Sequence, residues 1–183
     1  MLRVVIDTSS LVSYVLTRGE ITRQIIAHWR ASSFRQLSTS ATRAELAAVL
    51  QRSRIQRLAV APLDELAAGL DRFSHHVAGN LELPVPCRDP KDVKFVLCAI
   101  EGRADYLVSS DHHLLAMRHY RGVAFVNPGQ FLFALELHTM HETAMAERFG
   151  RQVLSEILES VPLEPETAAR LKGAASRSNA GQH

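Results

Sequence analysis

Apolar and polar positions alternate in blocks along the chain, and the period of each block separates strands from helices. Leu2 to Ile6 is a short, mostly apolar run rich in β-branched residues. It stops at Asp7-Thr8-Ser9-Ser10, and a second apolar stretch runs from Leu11 to Leu16. A run of that length bounded by capping residues reads as a buried strand feeding a capped helix. Ile21, Ile25, Ile26 and Trp29 fall at helical spacing and predict a helix over Glu20 to Ser32. Phe34 to Ser38 is the next strand, with Phe34 and Leu37 as its apolar members. Ser40 is the expected N-cap of a helix through Leu46, Val49 and Leu50, and Pro62-Leu63-Asp64 opens another through Leu66 and Leu70.

Leu83-Pro84-Val85-Pro86 must be extended or lie at an edge, because proline cannot donate to a central ladder. Asp89-Pro90-Lys91-Asp92 then starts a helix carrying Phe95, Val96, Ala99 and Ile100, which ends at Gly102. Tyr106 to Val108 is a third strand, closed by Ser109-Ser110-Asp111 as the cap of a helix through Leu114 and Leu115. Val123 to Val126 is a fourth, before Asn127-Pro128-Gly129. From Phe131 to Leu137 and from His141 to Leu158 only helical periodicity remains. Strands alternating with helices argue for an α/β fold with a mostly parallel central sheet. The expected division is a domain over 1–137, a helical extension over 138–172, and a small, polar, disordered tail over 173–183.

A length of 183 residues, with 46% hydrophobic and 22% charged content, supports one principal core and removes the disordered and fibrous classes. No apolar run approaches the roughly 18 residues of a membrane span, and no basic-apolar signal pattern opens the chain, so a cytoplasmic location is expected. Cys87 and Cys98 lack a CxxC spacing and are too few for a disulfide framework. The net charge of +2 is small but uneven: eight arginines from Arg18 to Arg57 face only Glu20 and Glu45, whereas seven glutamates lie between Glu136 and Glu166. Such a basic front half admits a polyanionic partner without demanding one.

Four acids carry the candidate chemistry. In open α/β sheets, sites lie beyond the carboxyl ends of the strands, where Asp7 and Asp111 fall. Each also has a plain reading, Asp7 as a turn residue and Asp111 as a helix cap. Glu45 sits among Ala44, Leu46, Ala47 and Ala48, where it is either a solvated side chain or a buried one that needs a cation. Asp92 opens its helix, with Asp89 near enough to act as the capping acid and leave Asp92 free. Two carboxylates about 4 Å apart repel by roughly 4 kcal/mol at an effective dielectric near 20, so such a cluster is costly unless a divalent cation reverses the sign. Oxygen-only ligands suit Mg2+ or Mn2+, and such a cation can stabilise charge developing on a phosphate oxygen.

Around these acids the sequence resembles the PIN-domain family, in the branch of prokaryotic toxins of the virulence-associated protein C type. Val4-Val5-Ile6-Asp7-Thr8-Ser9 is similar to the family's opening strand and first acid, and Ser40 to Leu50 to its glutamate-bearing helix. Arg88 to Phe95 and Ala104 to Asp111 are similar to its third and fourth segments, in the family's order. The resemblance runs from about Met1 to Leu132. It implies a PIN-like three-layer fold, a metal-dependent ribonuclease acting on RNA, and a cognate antitoxin that occludes the site. It carries Asp7, Glu45, Asp92 and Asp111 over as catalytic and metal-holding residues. Ser9 stands where the family commonly has asparagine, and Ser109 keeps a hydroxyl; both are supporting residues. Asp105, at the start of its strand, is excluded. The helices after Leu137 lie outside the pattern, as packing layer, homodimer surface or protein-binding site.

Rival chemistries lack their parts. A haloacid dehalogenase-type phosphatase wants an aspartate where Ser9 stands, and no GxxxxGK[ST] or GxGxxG loop is present. His112 and His113 beside Asp111 suggest zinc, but neighbours on a helix are expected to point apart and no HExxH pattern supports them. The remaining alternative is a PIN-like module that binds RNA or protein without cutting. In either reading Arg43 is a candidate RNA-phosphate contact, or else the partner of an acid.

Overall fold

The computed structural model describes residues 1–17 and 19–160. Its elements run β1 (Arg3–Ile6), α1 (Thr8–Thr17), α2 (Glu20–Arg30), β2 (Arg35–Ser38), α3 (Ser40–Leu50), α4 (Ser53–Leu58), α5 (Leu63–Phe73), β3 (Ser74–His76), α6 (Val93–Glu101), β4 (Tyr106–Val108), α7 (His112–Leu115), β5 (His119–Tyr120), β6 (Val123–Val126) and α8 (Pro128–Ser160). Six strands form one sheet in the order β3-β2-β1-β4-β6-β5. All neighbours are parallel except β5, which pairs antiparallel with β6. This is the α/β architecture expected, with helices on both faces.

The pleat of β1 shows how one strand serves two layers. Val4 and Ile6 join a core with Val12, Val15, Trp29, Phe34, Leu46 and Leu70, while Val5, between them, joins Phe95, Val96, Leu107 and Leu114. Alternate side chains point to opposite faces, so a strand buried on both sides must be apolar throughout. Phe131 and Leu135, at the start of α8, are fully buried, and Phe131 meets Phe34 edge to face at 5.2 Å.

The structure adds two short edge strands and a helix, α4, to the elements expected. β3 is Ser-His-His, which shows no apolar alternation. β5 is two residues long and is held by a tight turn in which Arg121 (φ 47) and Gly122 (φ 87) both take positive φ. Two positive-φ residues match the right-handed twist of a hairpin, and the second is a glycine at no steric cost. α3 begins one residue earlier than expected, at the residue expected to cap it. Thr39, in extended conformation, is the N-cap and Ser40 the first helical residue. Thr39 Oγ1 accepts from Thr42 N and Thr42 Oγ1 from Thr39 N, a reciprocal capping box.

The two helical stretches expected after Gln130 are one continuous helix, α8. The chain divides into two compact units after Glu136, within α8. The expected tail at 173–183 and the end of the extension lie outside the described residues. Among the described residues, no helix is long and apolar enough to cross a membrane.

Candidate functional site

Sheet order locates the site. From β1 the chain steps one way to β2 and β3, then crosses back to lay β4 against the other side of β1. Connections leaving β1 and β4 therefore diverge, and a crevice opens beyond their carboxyl ends. Asp7 follows β1, with its N–H donating to Val108 O of β4 at 3.0 Å. Ser109 to Asp111 follow β4.

Asp7 is only 4% exposed, and three donors hold it. Ser10 N donates to Oδ1 at 2.8 Å, Ser9 Oγ to Oδ2 at 2.8 Å, and Ser109 Oγ to Oδ2 at 2.5 Å. The fully buried Ser109 hydroxyl also accepts from Asp111 N at 2.9 Å. One hydroxyl thus ties the end of β1 to the end of β4. Ser9 and Ser109, expected as supporting residues, both reach Asp7, and Ser10 is a third contact that the sequence pattern did not single out.

Asp111 caps α7: its Oδ1 accepts from His113 N at 2.6 Å. Capping occupies one oxygen, so the plain reading holds without excluding the functional one. Asp92 differs. It occupies the N-cap position of α6 without making a side-chain capping bond, and in the turn before it Asp89 Oδ1 accepts from the N–H of Lys91 at 2.9 Å. Asp92 Oδ2 is buried and has no hydrogen-bond partner. Burial, followed by the charges of Asp111, Asp89, Asp7 and Glu45, pushes its carboxyl from 3.8 up to about 6. Those neighbours include all three other expected acids, which the fold therefore brings into electrostatic reach of Asp92.

Glu45 is half-buried on α3 and forms an ion pair with Lys94 of α6. The sequence carries no signal for this role of Lys94, which only the packing of α3 against α6 brings to Glu45. Arg43 pairs with Asp71 of α5, so the described contact is with an acid rather than a free phosphate-facing cation. Asp105 sits at the opposite end of β4, where Oδ2 accepts from Arg3 N at 2.8 Å, in keeping with its exclusion. The histidines depart from expectation: His112 and His113 pack with ring centroids 3.8 Å apart. Both residues are helical positions of α7, so their Cβ atoms diverge and rotation about the side-chain bonds brings the rings together.

Beneath the site, Thr8, Gln36, Ser38 and Thr42 line a cavity of about 10 Å³ together with Arg43 and Phe95. Thr8 Oγ1, Gln36 Oε1 and Ser38 Oγ are buried there without side-chain partners. Space and polarity suit a single water. These polar residues were not legible as a set, since they come from separate elements, among them α1 and β2.

An α/β protein with acids gathered at the switch point of a parallel sheet has an address for polar ligands and cations. Within that class the assignment is specific: a family model for the PIN domain matches residues 3–113, and the chain belongs to the PIN-domain family. PIN domains are generally nucleases and typically depend on divalent metal ions. The matched span contains all four acids. No curated protein matches the chain.

Proposed function

We propose that this PIN domain is an endoribonuclease that holds Mg2+ or Mn2+ among Asp7, Glu45, Asp92 and Asp111, and that it is the toxin of a toxin-antitoxin pair. The observation that carries the reading is Asp92: a buried carboxyl oxygen without a donor, among acids that raise its proton affinity. A group in that state is poised for a cation, and the all-oxygen donor set fits a hard divalent ion. When bound, such an ion neutralises the acids and stabilises negative charge developing on a phosphate. The chain's own residues prepare that event. Ser9, Ser10 and Ser109 orient Asp7, Ser109 couples it to Asp111, and Lys94 holds Glu45.

The toxin assignment is supported by the segments Arg88 to Phe95 and Ala104 to Asp111, which resemble those toxins. An antitoxin protein, an RNA substrate, a homodimer and a cytoplasmic setting belong to the same proposal. The test is cleavage of single-stranded RNA by the purified chain with manganese or magnesium. Asp7→Asn and Asp92→Asn are expected to lower the rate by at least about a hundredfold, with circular dichroism unchanged. Cleavage at the parent rate in both variants refutes the assignment. Co-purification with the product of the adjacent reading frame tests the pairing.

A second reading has one observation in its favour, the Lys94 ammonium seated on Glu45. A PIN module that binds RNA without cutting it would need no free glutamate. It predicts RNA affinity that falls with salt and is unchanged by Asp92→Asn, with no cleavage under any metal.

A further inference from the structure

Adjoining the four acids, and sharing Asp111 with them, lies a donor set whose two imidazoles the nuclease reading leaves unused. Asp111, His112 and His113 each offer a ligand atom, and these atoms all lie within 4.8 Å of one another. His112 Nδ1 stands 3.9 Å from Asp111 Oδ1. Ligand atoms around a tetrahedral zinc ion are spaced about 3.3 Å apart, given bonds of about 2.0–2.1 Å. A contraction of about 1.5 Å at most therefore separates the set from coordination. Rotation of the His112 imidazole, whose side chain is 82% exposed, supplies most of it, and the half-buried His113 ring has less to adjust. Asp111 is meanwhile held by the His113 N–H, so one ligand is fixed and two adjust to it. α7 has only four residues, and the partial positive charge at its start opposes a cation weakly.

Two imidazoles select differently from a cluster of carboxylates. Imidazole nitrogen suits zinc, nickel and copper, whereas carboxylate oxygen suits magnesium, calcium and manganese. We propose that Asp111, His112 and His113 form a binding site for a zinc-type transition ion, with Asp111 shared between this trio and the four-acid cluster. Since the Asp111 charge also acts on Asp92, an ion held by the imidazoles engages a carboxylate that the acid cluster needs. Occupancy of the trio therefore weakens magnesium or manganese binding and inhibits cleavage. That consequence rests on the nuclease reading; the binding itself does not.

Calorimetric titration of zinc into the full chain, the double variant His112→Ala/His113→Ala, and Asp7→Asn tests the site without reference to activity. The parent and Asp7→Asn are expected to take up zinc with equal affinity. The double variant is expected to bind at least tenfold more weakly, since loss of even an outer-shell partner costs about that much. Equal zinc binding by the parent and the double variant overturns the site. In parallel, zinc is added to magnesium-supported RNA cleavage, where the parent is expected to be inhibited and the double variant to stay active. Equal zinc sensitivity of the two overturns the shared ligand. Histidine-dependent zinc uptake by a chain that cleaves no RNA overturns the nuclease reading and leaves the metal site standing.

Discussion

Replacing Asp92 by asparagine tests the electrostatic account of the site most directly, because the structure sets both its sign and its size. Burial and four neighbouring acids raise the carboxyl from 3.8 to about 6. At about 1.4 kcal/mol per pH decade, that rise is worth a ceiling of about 3 kcal/mol. Solvent reaching the half-buried group screens it toward about 1–2 kcal/mol. The folded chain holds this proton more tightly than the unfolded one. Its contribution is therefore fully present below pH 3.8, declines between 3.8 and about 6, and is lost above. Asparagine carries no charge, so Asp92→Asn and the parent should be equally stable near pH 3.5. At pH 7.5 without divalent metal the variant should be more stable by about 1–2 kcal/mol, or about 2–8 °C in Tm for a chain of this size. Adding manganese at about a hundred times its Kd should stabilise the parent by about 2.7 kcal/mol and reverse the order. Thermal unfolding at the two pH values, with EDTA or manganese, supplies all four comparisons. A variant less stable than the parent by about 1 kcal/mol in EDTA at pH 7.5 would show that Asp92 is a structural acid and refute the argument.

Two further substitutions probe the supports. Lys94→Gln removes the ammonium from Glu45, and the loss of a partly exposed pair worth up to about 1 kcal/mol should tighten manganese binding as much as about fivefold; unchanged affinity by titration would remove Glu45 from the cation set. Ser109→Ala deletes a donor to Asp7 and strands the N–H of Asp111, which should cost about 1–3 kcal/mol in urea unfolding, whereas a cost below about 0.5 kcal/mol would mean that the two strand ends are not joined through this hydroxyl.

What was legible in the sequence follows from locality. The β-branched run ending at Asp7 and the stop at Gly102 are recorded in consecutive residues, and both stand where expected. Gly102 is confined by packing: an added Cβ would lie 2.7 Å from Leu37 Cδ1 and 2.9 Å from Cys98 O. β3 and β5 were not legible, because each is defined by a neighbour rather than by its own side chains: β3 lies along β2, and β5 is folded back on β6. The same holds within the site. Asp7, Asp92 and Asp111 are positions at element ends and could be picked out, whereas Lys94 on Glu45 and Asp71 on Arg43 are meetings between helices. The expectation for the histidines failed because spacing fixes where the side chains leave the helix and not the torsions that turn the two rings toward each other.

Asp7 and Asp92 are the same amino acid held in opposite ways. Asp7 has three donors and is oriented as the chain folds, so its loss of rotational freedom belongs to folding and not to any later event. The unpartnered oxygen of Asp92 leaves part of its ordering to whatever binds. A centre built only from acids like Asp7 would be rigid and would either fit its ion or reject it. One built only from acids like Asp92 would lose entropy for every ligand at the moment of binding. In the proposed metal centre, combining the two would give a fixed reference point and an adjustable one, a construction that would tolerate ions of unequal radius and let them exchange.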